Sequence, residues 1–215
     1  KMTGADREKL QKQRLSEMKA YENNLRAKGV NYIGGVDEVG RGPLAGPVVA
    51  ACVVLPEDFS VTGVDDSKKV SEKKRNSLYN LILDNSISWG IGLVAPEIID
   101  EINILNATKK AMTIAINSAR EKCALQHLLI DAVSLEDIDI PQTSIIKGDT
   151  KSVSIAAASI VAKVYRDNLM INYSKEYPGY AFEKNKGYGT KEHYEGISEK
   201  GITPIHRKSF LKKIL

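Results

Sequence analysis

Cysteine is scarce in this sequence, and the two residues present, Cys52 and Cys123, lack the spacing of a metal site. Cys52 lies inside the apolar run 48-VVAACVVL-55, where a small buried thiol is the usual occupant. We therefore expect a core built without a disulfide.

Histidine is also rare, with three residues in the chain: His127, His193 and His206. None of them has a partner at the sequence spacing of a zinc site or a catalytic triad. We expect structural or surface roles for all three.

Long apolar runs are missing as well, since none approaches the roughly 20 residues that a membrane-spanning helix needs. The N-terminal segment is charged where a signal peptide carries its apolar core. We therefore expect a cytoplasmic protein that does not associate with a membrane. Hydrophobic residues make up 42% of the 215 and charged residues 27%, which is typical of a folded domain with one core.

Net charge is low, at +4, and does not by itself indicate a nucleic-acid partner. Its distribution is uneven, because the segment 184–215 holds eight basic and three acidic residues. A solvated face and a phosphate-binding surface both explain such a segment.

The hydrophobic pattern predicts an α/β fold with a mixed five-stranded sheet flanked by helices. The predicted strands are 30–37, 47–55, 87–95, 127–133 and 143–149. The predicted helices are 72–83, a short one opened by Pro96, 107–124, 152–177, and a last one with its N-cap at Thr190 and its end at Gly201. Residues 1–29 are polar and predict a helical extension, followed by one domain over 30–215.

Four acids stand where the sheet and its covering helix could bring them together: Asp37, Glu38, Asp131 and Asp167. Ionised carboxylates packed closely raise one another's pKa, and two divalent cations would neutralise them. Oxygen ligands suit Mg²⁺ or Mn²⁺, and such a pair hydrolyses phosphodiesters. The alternative is that these acids polarise a turn or lie on the surface.

The pair Asp37 and Glu38 raises a geometric question, because adjacent strand residues point to opposite faces of a sheet. Both can serve one site if the strand ends or bulges between them. Gly40 makes such a break plausible.

The glycines near this pair also suggest nucleotide-binding loops. The stretch 40-GRGPLA-45 fits G-x-G-x-x-G/A, with Asp65 near the position of a ribose-binding acid. That fingerprint must open a helix, whereas a strand is predicted after Pro47. Gly35 and Gly40 have P-loop spacing, but Lys-Ser/Thr does not follow. The metal site is the preferred interpretation.

Seven motifs occur in order along residues 36–207, and together they resemble the bacterial ribonuclease HII family. They are 36-VDEVGRGPLAGPVVAA-51, 66-DSKK-69, 128-LLIDAV-133, 147-KGD-149, 156-AAASIVAKVYRD-167, 186-KGYGTKEH-193 and 204-PIHR-207. The resemblance implies a ribonuclease H-like fold with a catalytic domain over 30–215. It also implies a metal-dependent endonuclease that cuts RNA/DNA hybrids and duplex DNA carrying a single ribonucleotide. We expect the protein to be a monomer.

The resemblance also assigns roles to individual residues. The four acids match the family's metal-binding catalytic acids. Gly40, Arg41 and Gly42 match its loop that contacts the ribose 2′-hydroxyl, and Tyr188 matches the tyrosine at the RNA-to-DNA junction. Candidate contacts to the backbone of the substrate are Ser67, Lys68, Lys147, Lys163 and Lys191. Lys163 lies one helical turn before Asp167 and has the alternative of pairing with it.

Two alternative functions remain open. Ribonuclease HIII shares the fold but carries a substantial N-terminal domain, for which the segment before the first predicted strand is too short. A non-catalytic hybrid-binding module would also use a basic surface, but it would gain from losing acids near phosphates. In one departure from the family pattern, Ala132 follows Asp131 where glycine is common.

Overall fold

The computed structural model describes residues 3–212. Residues 1, 2 and 213–215, which belong to the predicted extension and to the basic C-terminal segment, lie outside the described residues. The strands are β1 (Ile33–Val39), β2 (Val48–Val54), β3 (Ser88–Val94), β4 (His127–Asp131) and β5 (Gln142–Ile145). The helices are α1 (Gly4–Met18), α2 (Ala20–Arg26), α3 (Glu72–Asp84), α4 (Pro96–Arg120), α5 (Val153–Glu176), α6 (Phe182–Asn185) and α7 (Lys191–Lys200).

The five strands form one mixed sheet in the order β3-β2-β1-β4-β5, which confirms the predicted fold class. β1, β2 and β3 are antiparallel neighbours, because each is joined to the next by a connection that reverses the chain. β4 and β5 run parallel to β1, so the carboxyl ends of these three strands lie at the same edge of the sheet. Ligands of open α/β sheets bind at such an edge.

Helices cover both faces of the sheet. β2 is buried along its whole length, as expected for an apolar strand between two helical layers. α5 lies against β1 on one face, and a Cβ on Gly35 would overlap the backbone of Ser154. Glycine at this position therefore lets the helix approach the strand that carries the acidic pair. α4 covers the other face through Ala111, Ala115 and Ala119.

The N-terminal helices pack on the α5 side of the sheet. Leu15 and Met18 of α1 are buried in the same apolar cluster as Val53. Glu22 of α2 is fully buried, and its Oε1 accepts hydrogen bonds from Ser152 Oγ (2.6 Å) and Ser154 N (3.0 Å). The carboxylate thus binds a free backbone N–H in the first turn of α5 and stabilises the start of that helix.

The structure corrects several predicted boundaries. The short helix at Pro96 and the helix from 107 are assigned as one element, α4, with a kink at Asn103, whose φ is 67°. β5 ends at Ile145, and Gly148–Thr150 is a 3-10 turn instead of the end of a strand. Ser71 occupies the N-cap of α3 but makes no capping hydrogen bond through its side chain. Ser152 and Thr190 do cap α5 and α7.

Candidate active site

The carboxyl ends of β1 and β4 place two acids side by side. The parallel register between these strands ends with Val36 opposite Ile130, so Asp37 and Asp131 are the next residues on neighbouring strands. Both residues share the face of the sheet that α5 covers, because side chains alternate and Gly35 already faces that helix. The sheet edge therefore brings together two acids that are far apart in sequence.

A cleft of about 320 Å³ opens at this edge. Its walls hold four acids, the glycine loop, a tyrosine and two lysines. The lining residues are Asp37, Glu38, Val39, Gly40, Arg41, Gly42, Ser67, Lys68, Asp131, Asp149, Ser159, Lys163 and Tyr188. Ten of the thirteen site residues predicted from the sequence lie here, and the exceptions are Asp167, Lys147 and Lys191.

The expectation that β1 ends or bulges between Asp37 and Glu38 is wrong. Asp37 is paired with Ala51 and Glu38 with Ala50, in an unbroken antiparallel ladder. Both side chains still line the cleft, because β4 ends at Asp131, beside Asp37, so that no residue of β4 lies next to Glu38, and β1 itself ends at Val39. The chain turns only at Gly40, whose φ of 89° suits glycine. The cleft therefore reaches around the end of the strand.

Burial and mutual repulsion dominate the electrostatics of the acids. Burial raises the pKa of Asp37 well above its ordinary value, and the charges of Glu38, Asp131 and Asp149 raise it further. The Glu38 N–H donates to Asp37 Oδ1 at 2.7 Å, which opposes this shift in pKa and fixes the carboxylate. Burial also raises the pKa of Glu38, although Arg41, with Nη1 3.8 Å from Glu38 Oε1, lowers it. The cleft thus holds an excess of negative charge.

Asp149 belongs to this cluster, and sequence reasoning missed it. It is 8% exposed and follows Lys147 and Gly148 in a 3-10 turn beside β4. Burial raises the pKa of Asp149, and so do the charges of Asp66 and Asp131. The signal was present in the motif 147-KGD-149, but the prediction of a strand through 149 concealed the turn that directs this acid to the cleft.

Asp131 is held by the same turn. Its Oδ1 accepts a hydrogen bond of 2.6 Å from the Gly148 N–H, which leaves Oδ2 free of that contact. The backbone of residues 147–149 therefore orients one acid while it carries another.

Asp167 occupies a different position. It lies on α5, 7% exposed, and its Oδ1 accepts a hydrogen bond of 2.8 Å from Lys163 Nζ. Lys163 is among the residues that line the cleft, whereas Asp167 is not. The pairing of these two residues, left open by the sequence, is confirmed.

The remaining polar candidates divide into two groups. Ser67 lines the cleft and is buried, and its Oγ accepts a hydrogen bond of 2.8 Å from Ser159 Oγ; Lys68 beside it is exposed. Lys147 and Lys191 lie outside the cleft lining, and the side chain of Lys191 is 86% exposed with Glu195 as its partner at 3.6 Å.

The glycine loop and the tyrosine lie against each other on the same side of the cleft. A Cβ on Gly42 would lie 3.5 Å from Tyr188 Cε1, in ordinary contact, and the Tyr188 side chain is half exposed. The two segments are joined by backbone, because the Leu44 N–H donates to Gly187 O at 2.8 Å. They form one wall of the cleft.

His193 and His206 form a buried hydrogen-bonded pair behind Tyr188, which fits the expected structural role. The Thr203 N–H donates to His206 Nδ1 at 2.9 Å, so the proton of His206 lies on Nε2. That proton is shared with His193 Nε2 at 3.0 Å, and His193 Nδ1 then donates to Tyr188 O at 2.9 Å. This chain requires both rings to be neutral. Burial lowers the pKa of both, that of His206 to about 4.

Comparison with known proteins gives a consistent result. The family model for ribonuclease HII matches residues 34–213. A ribonuclease HII of Clostridioides difficile (strain 630) is 56% identical over 205 residues, covering 95% of this chain and 80% of that protein. One of Bacillus cereus (strain B4264) is 57% identical over 203 residues, covering 94% and 78%.

Solved structures share the fold. The ribonuclease H2 of Pyrococcus horikoshii OT3 matches with a TM-score of 0.69 at 27% identity, over 85% of this chain and 96% of that one. Bst-RNase HIII, solved in complex with Mn²⁺, matches with a TM-score of 0.60 at 18% identity, over 84% and 65%.

Proposed function

The chain belongs to the ribonuclease HII family of hydrolases, and on that premise we propose that it cuts RNA strands paired to DNA and duplex DNA at single ribonucleotides. The observation that carries this proposal is the cleft itself. It combines Asp37, Glu38, Asp131 and Asp149 with the Gly40–Gly42 loop and Tyr188. An acidic site for chemistry thus adjoins a surface suited to reading a ribose.

Divalent cations fit the acidic side of the cleft. All four acids offer oxygen ligands, and their mutual repulsion is the effect that a bound Mg²⁺ or Mn²⁺ would relieve. Within residues 3–212 no three acids, histidines or cysteines are already arranged around one point. When bound, two such ions would supply an activated water and would stabilise the leaving oxygen of a phosphodiester.

We assign the fourth metal-binding position to Asp149 in place of Asp167. Asp149 lines the cleft with Asp37 and Asp131 and raises the pKa of Asp37, whereas Asp167 does not line the cleft and is paired with Lys163. In this assignment Asp167 orients Lys163, so that the ammonium group is held at the wall of the cleft for a substrate phosphate.

Recognition of the ribose is assigned to the wall formed by the glycine loop and Tyr188. Gly40 and Gly42 have no side chain to keep a nucleotide from the backbone, and a backbone N–H or C=O can bind a 2′-hydroxyl. Tyr188 presents a half-exposed ring on which a sugar or base can pack. Ser67, Lys68 and Lys163 are placed for phosphate contacts, while Lys147 and Lys191 would act only on substrate beyond the cleft.

No helix within residues 3–212 is long and apolar enough to cross a membrane. The monomeric state and the cytoplasmic location stay predictions.

The proposal is tested by cleavage of a substrate panel. The protein is incubated with Mg²⁺ or Mn²⁺ and a long RNA/DNA hybrid, a DNA duplex carrying one ribonucleotide, or the same duplex without it. We expect cleavage of the first two and none of the third. Binding of the first two without cleavage would instead identify a hybrid-binding module.

A further inference from the structure

Two fully buried arginines lie beneath the loop that carries Gly40–Gly42. Arg166 is on α5 and Arg207 follows the motif 204-PIHR-207, and both are 0% exposed. Neither forms an ion pair with an acid among the described residues. Buried unpaired charges are costly, so their hydrogen bonds must compensate for the lost water.

The two guanidinium groups donate six hydrogen bonds, all to backbone carbonyls. Arg207 binds Gly46 O (2.9 Å), Arg41 O (2.9 Å) and Gly40 O (2.6 Å). Arg166 binds Pro47 O (2.9 Å), Ala45 O (3.1 Å) and Lys186 O (2.8 Å). Five of the six acceptors belong to residues 40–47, and the sixth lies two residues before Tyr188.

The bonds of Arg207 determine which way two peptide groups point. In a trans peptide the C=O and the following N–H lie in one plane and point in opposite directions. Because Gly40 O and Arg41 O are directed inward to Arg207, the N–H groups of Arg41 and Gly42 are directed away from it. Within residues 3–212 neither N–H has a hydrogen-bond acceptor. Two free backbone donors therefore lie on a segment that lines the cleft.

The packing leaves this loop little freedom. A Cβ on Gly40 would overlap the Arg166 side chain, so the backbone lies directly on the guanidinium. On its other side the loop is joined to the C-terminal segment, since the Gly46 N–H donates to Ile205 O at 2.8 Å and the Arg207 N–H to Leu44 O at 2.8 Å.

We propose that Arg207, supported by Arg166, is a positioning residue for substrate recognition, which orients the Arg41 and Gly42 N–H groups toward an acceptor oxygen of the bound strand. The inference rests on the proposed function and adds a residue that does not touch substrate. A ribose 2′-oxygen and a phosphodiester oxygen are both acceptors, and an all-DNA duplex offers only the second.

The test compares Arg207→Lys and Arg166→Lys with two controls. A lysine has one nitrogen and does not reproduce three bonds in a planar fork. Arg26→Lys removes a single bond to Leu55 O (3.1 Å) outside the loop, and Met112→Ala weakens the core on the opposite face of the sheet. The controls distinguish a change in the conformation of the loop from a general loss of stability.

Two readouts are used. Hydrogen exchange of the Leu44, Ala45 and Gly46 N–H groups, which are hydrogen-bonded in the fold, should become faster in both arginine variants and stay unchanged in β1 and β2. With the single-ribonucleotide duplex, kcat/KM should fall by about 10-fold or more. The Kd for an all-DNA duplex should change by less than about 2-fold if the acceptor is the 2′-oxygen, and by as much as kcat/KM if it is a phosphate.

Unchanged exchange in the loop would overturn the inference, as would an equal fall in kcat/KM in a Met112→Ala protein with the same loss of Tm. Failure of both arginine variants to fold would show a role in global stability and would also overturn it. If the wild type does not cut at the ribonucleotide, the proposed function is wrong, but hydrogen exchange still decides whether the arginines fix the loop.

Discussion

Lys163 Nζ lies 2.8 Å from Asp167 Oδ1, one helical turn apart on α5. Lys163 lines the cleft and Asp167 does not, and the acid that the sequence put among the metal ligands is instead neutralised by this lysine. Asp149, on a turn after β5, lies in the cleft instead. The two acids should therefore respond differently to substitution.

Asp149→Asn should lower kcat with Mg²⁺ by about 100-fold or more, because an amide is a poorer ligand for a hard cation. Asp167→Asn should lower it by less than about 10-fold, because it affects only the orientation of Lys163. Steady-state assays over a Mg²⁺ titration measure both effects. Equal losses, or a larger loss in Asp167→Asn, would restore Asp167 to the metal site.

Asp37→Asn should abolish cleavage and should raise the stability of the fold when no metal ion is bound. Folding raises the pKa of Asp37, so the metal-free fold is more stable when this carboxyl is protonated. That stability is present at low pH and is lost as the pH rises through the folded pKa. In EDTA the variant should have a higher Tm than the wild type at pH 8, and the gap should close toward pH 4. A variant that is less stable at pH 8 would contradict the account of repulsion in the cleft.

Arg41→Ala should weaken discrimination for a ribonucleotide more than it weakens binding to duplex DNA. The Arg41 side chain is 46% exposed, and its 3.8 Å contact with Glu38 is a weak one. Competition binding with matched duplexes, with and without the ribonucleotide, measures the ratio. Lys191→Ala serves as the control, since it removes a positive charge outside the cleft. An equal loss on both duplexes would rule out a role for Arg41 in discrimination.

The His193–His206 pair should make stability fall on mild acidification. Burial and the neighbouring His193 lower the pKa of His206 from 6.5 to about 4, so the folded state favours the neutral ring. This contribution to the stability of the fold is fully present above the unfolded pKa of 6.5. That stability is lost as pH falls from about 6.5 toward 4, where the unfolded chain binds a proton and the folded chain does not. The drop in Tm between pH 7.5 and 5 should be smaller in His206→Gln. Parallel Tm profiles would show that the pair does not titrate in this range.

The sheet and its long helices are predictable from the sequence because their residues follow simple periods. The apolar stretch of β2 and the cap at Thr190 were identified from local patterns. The predicted end of β5 at residue 149 was wrong, because the apolar pattern does not show that parallel pairing with β4 stops at Ile145. That single boundary decides whether Asp149 continues a strand or turns into the cleft.

The site was predictable where a motif carried both chemistry and position, as in Asp37, Glu38 and the glycine loop. Contacts between distant segments were not. The pairing of His193 with His206 and the bonds of Arg207 to Gly40 depend on how the C-terminal segment folds back onto the loop. Sequence spacing contains no record of such a contact.

A cleavage assay on a DNA duplex with one ribonucleotide, using the wild type and Asp37→Asn, shows most directly whether this cleft is a metal-dependent nuclease site. The wild type should cut the duplex at the ribonucleotide with Mg²⁺ or Mn²⁺, and this cleavage should stop when EDTA is added. The variant should bind the duplex without cutting it. Wild-type cleavage that persists in EDTA, or full activity of Asp37→Asn, would contradict the assignment of this cleft as a metal-dependent nuclease site.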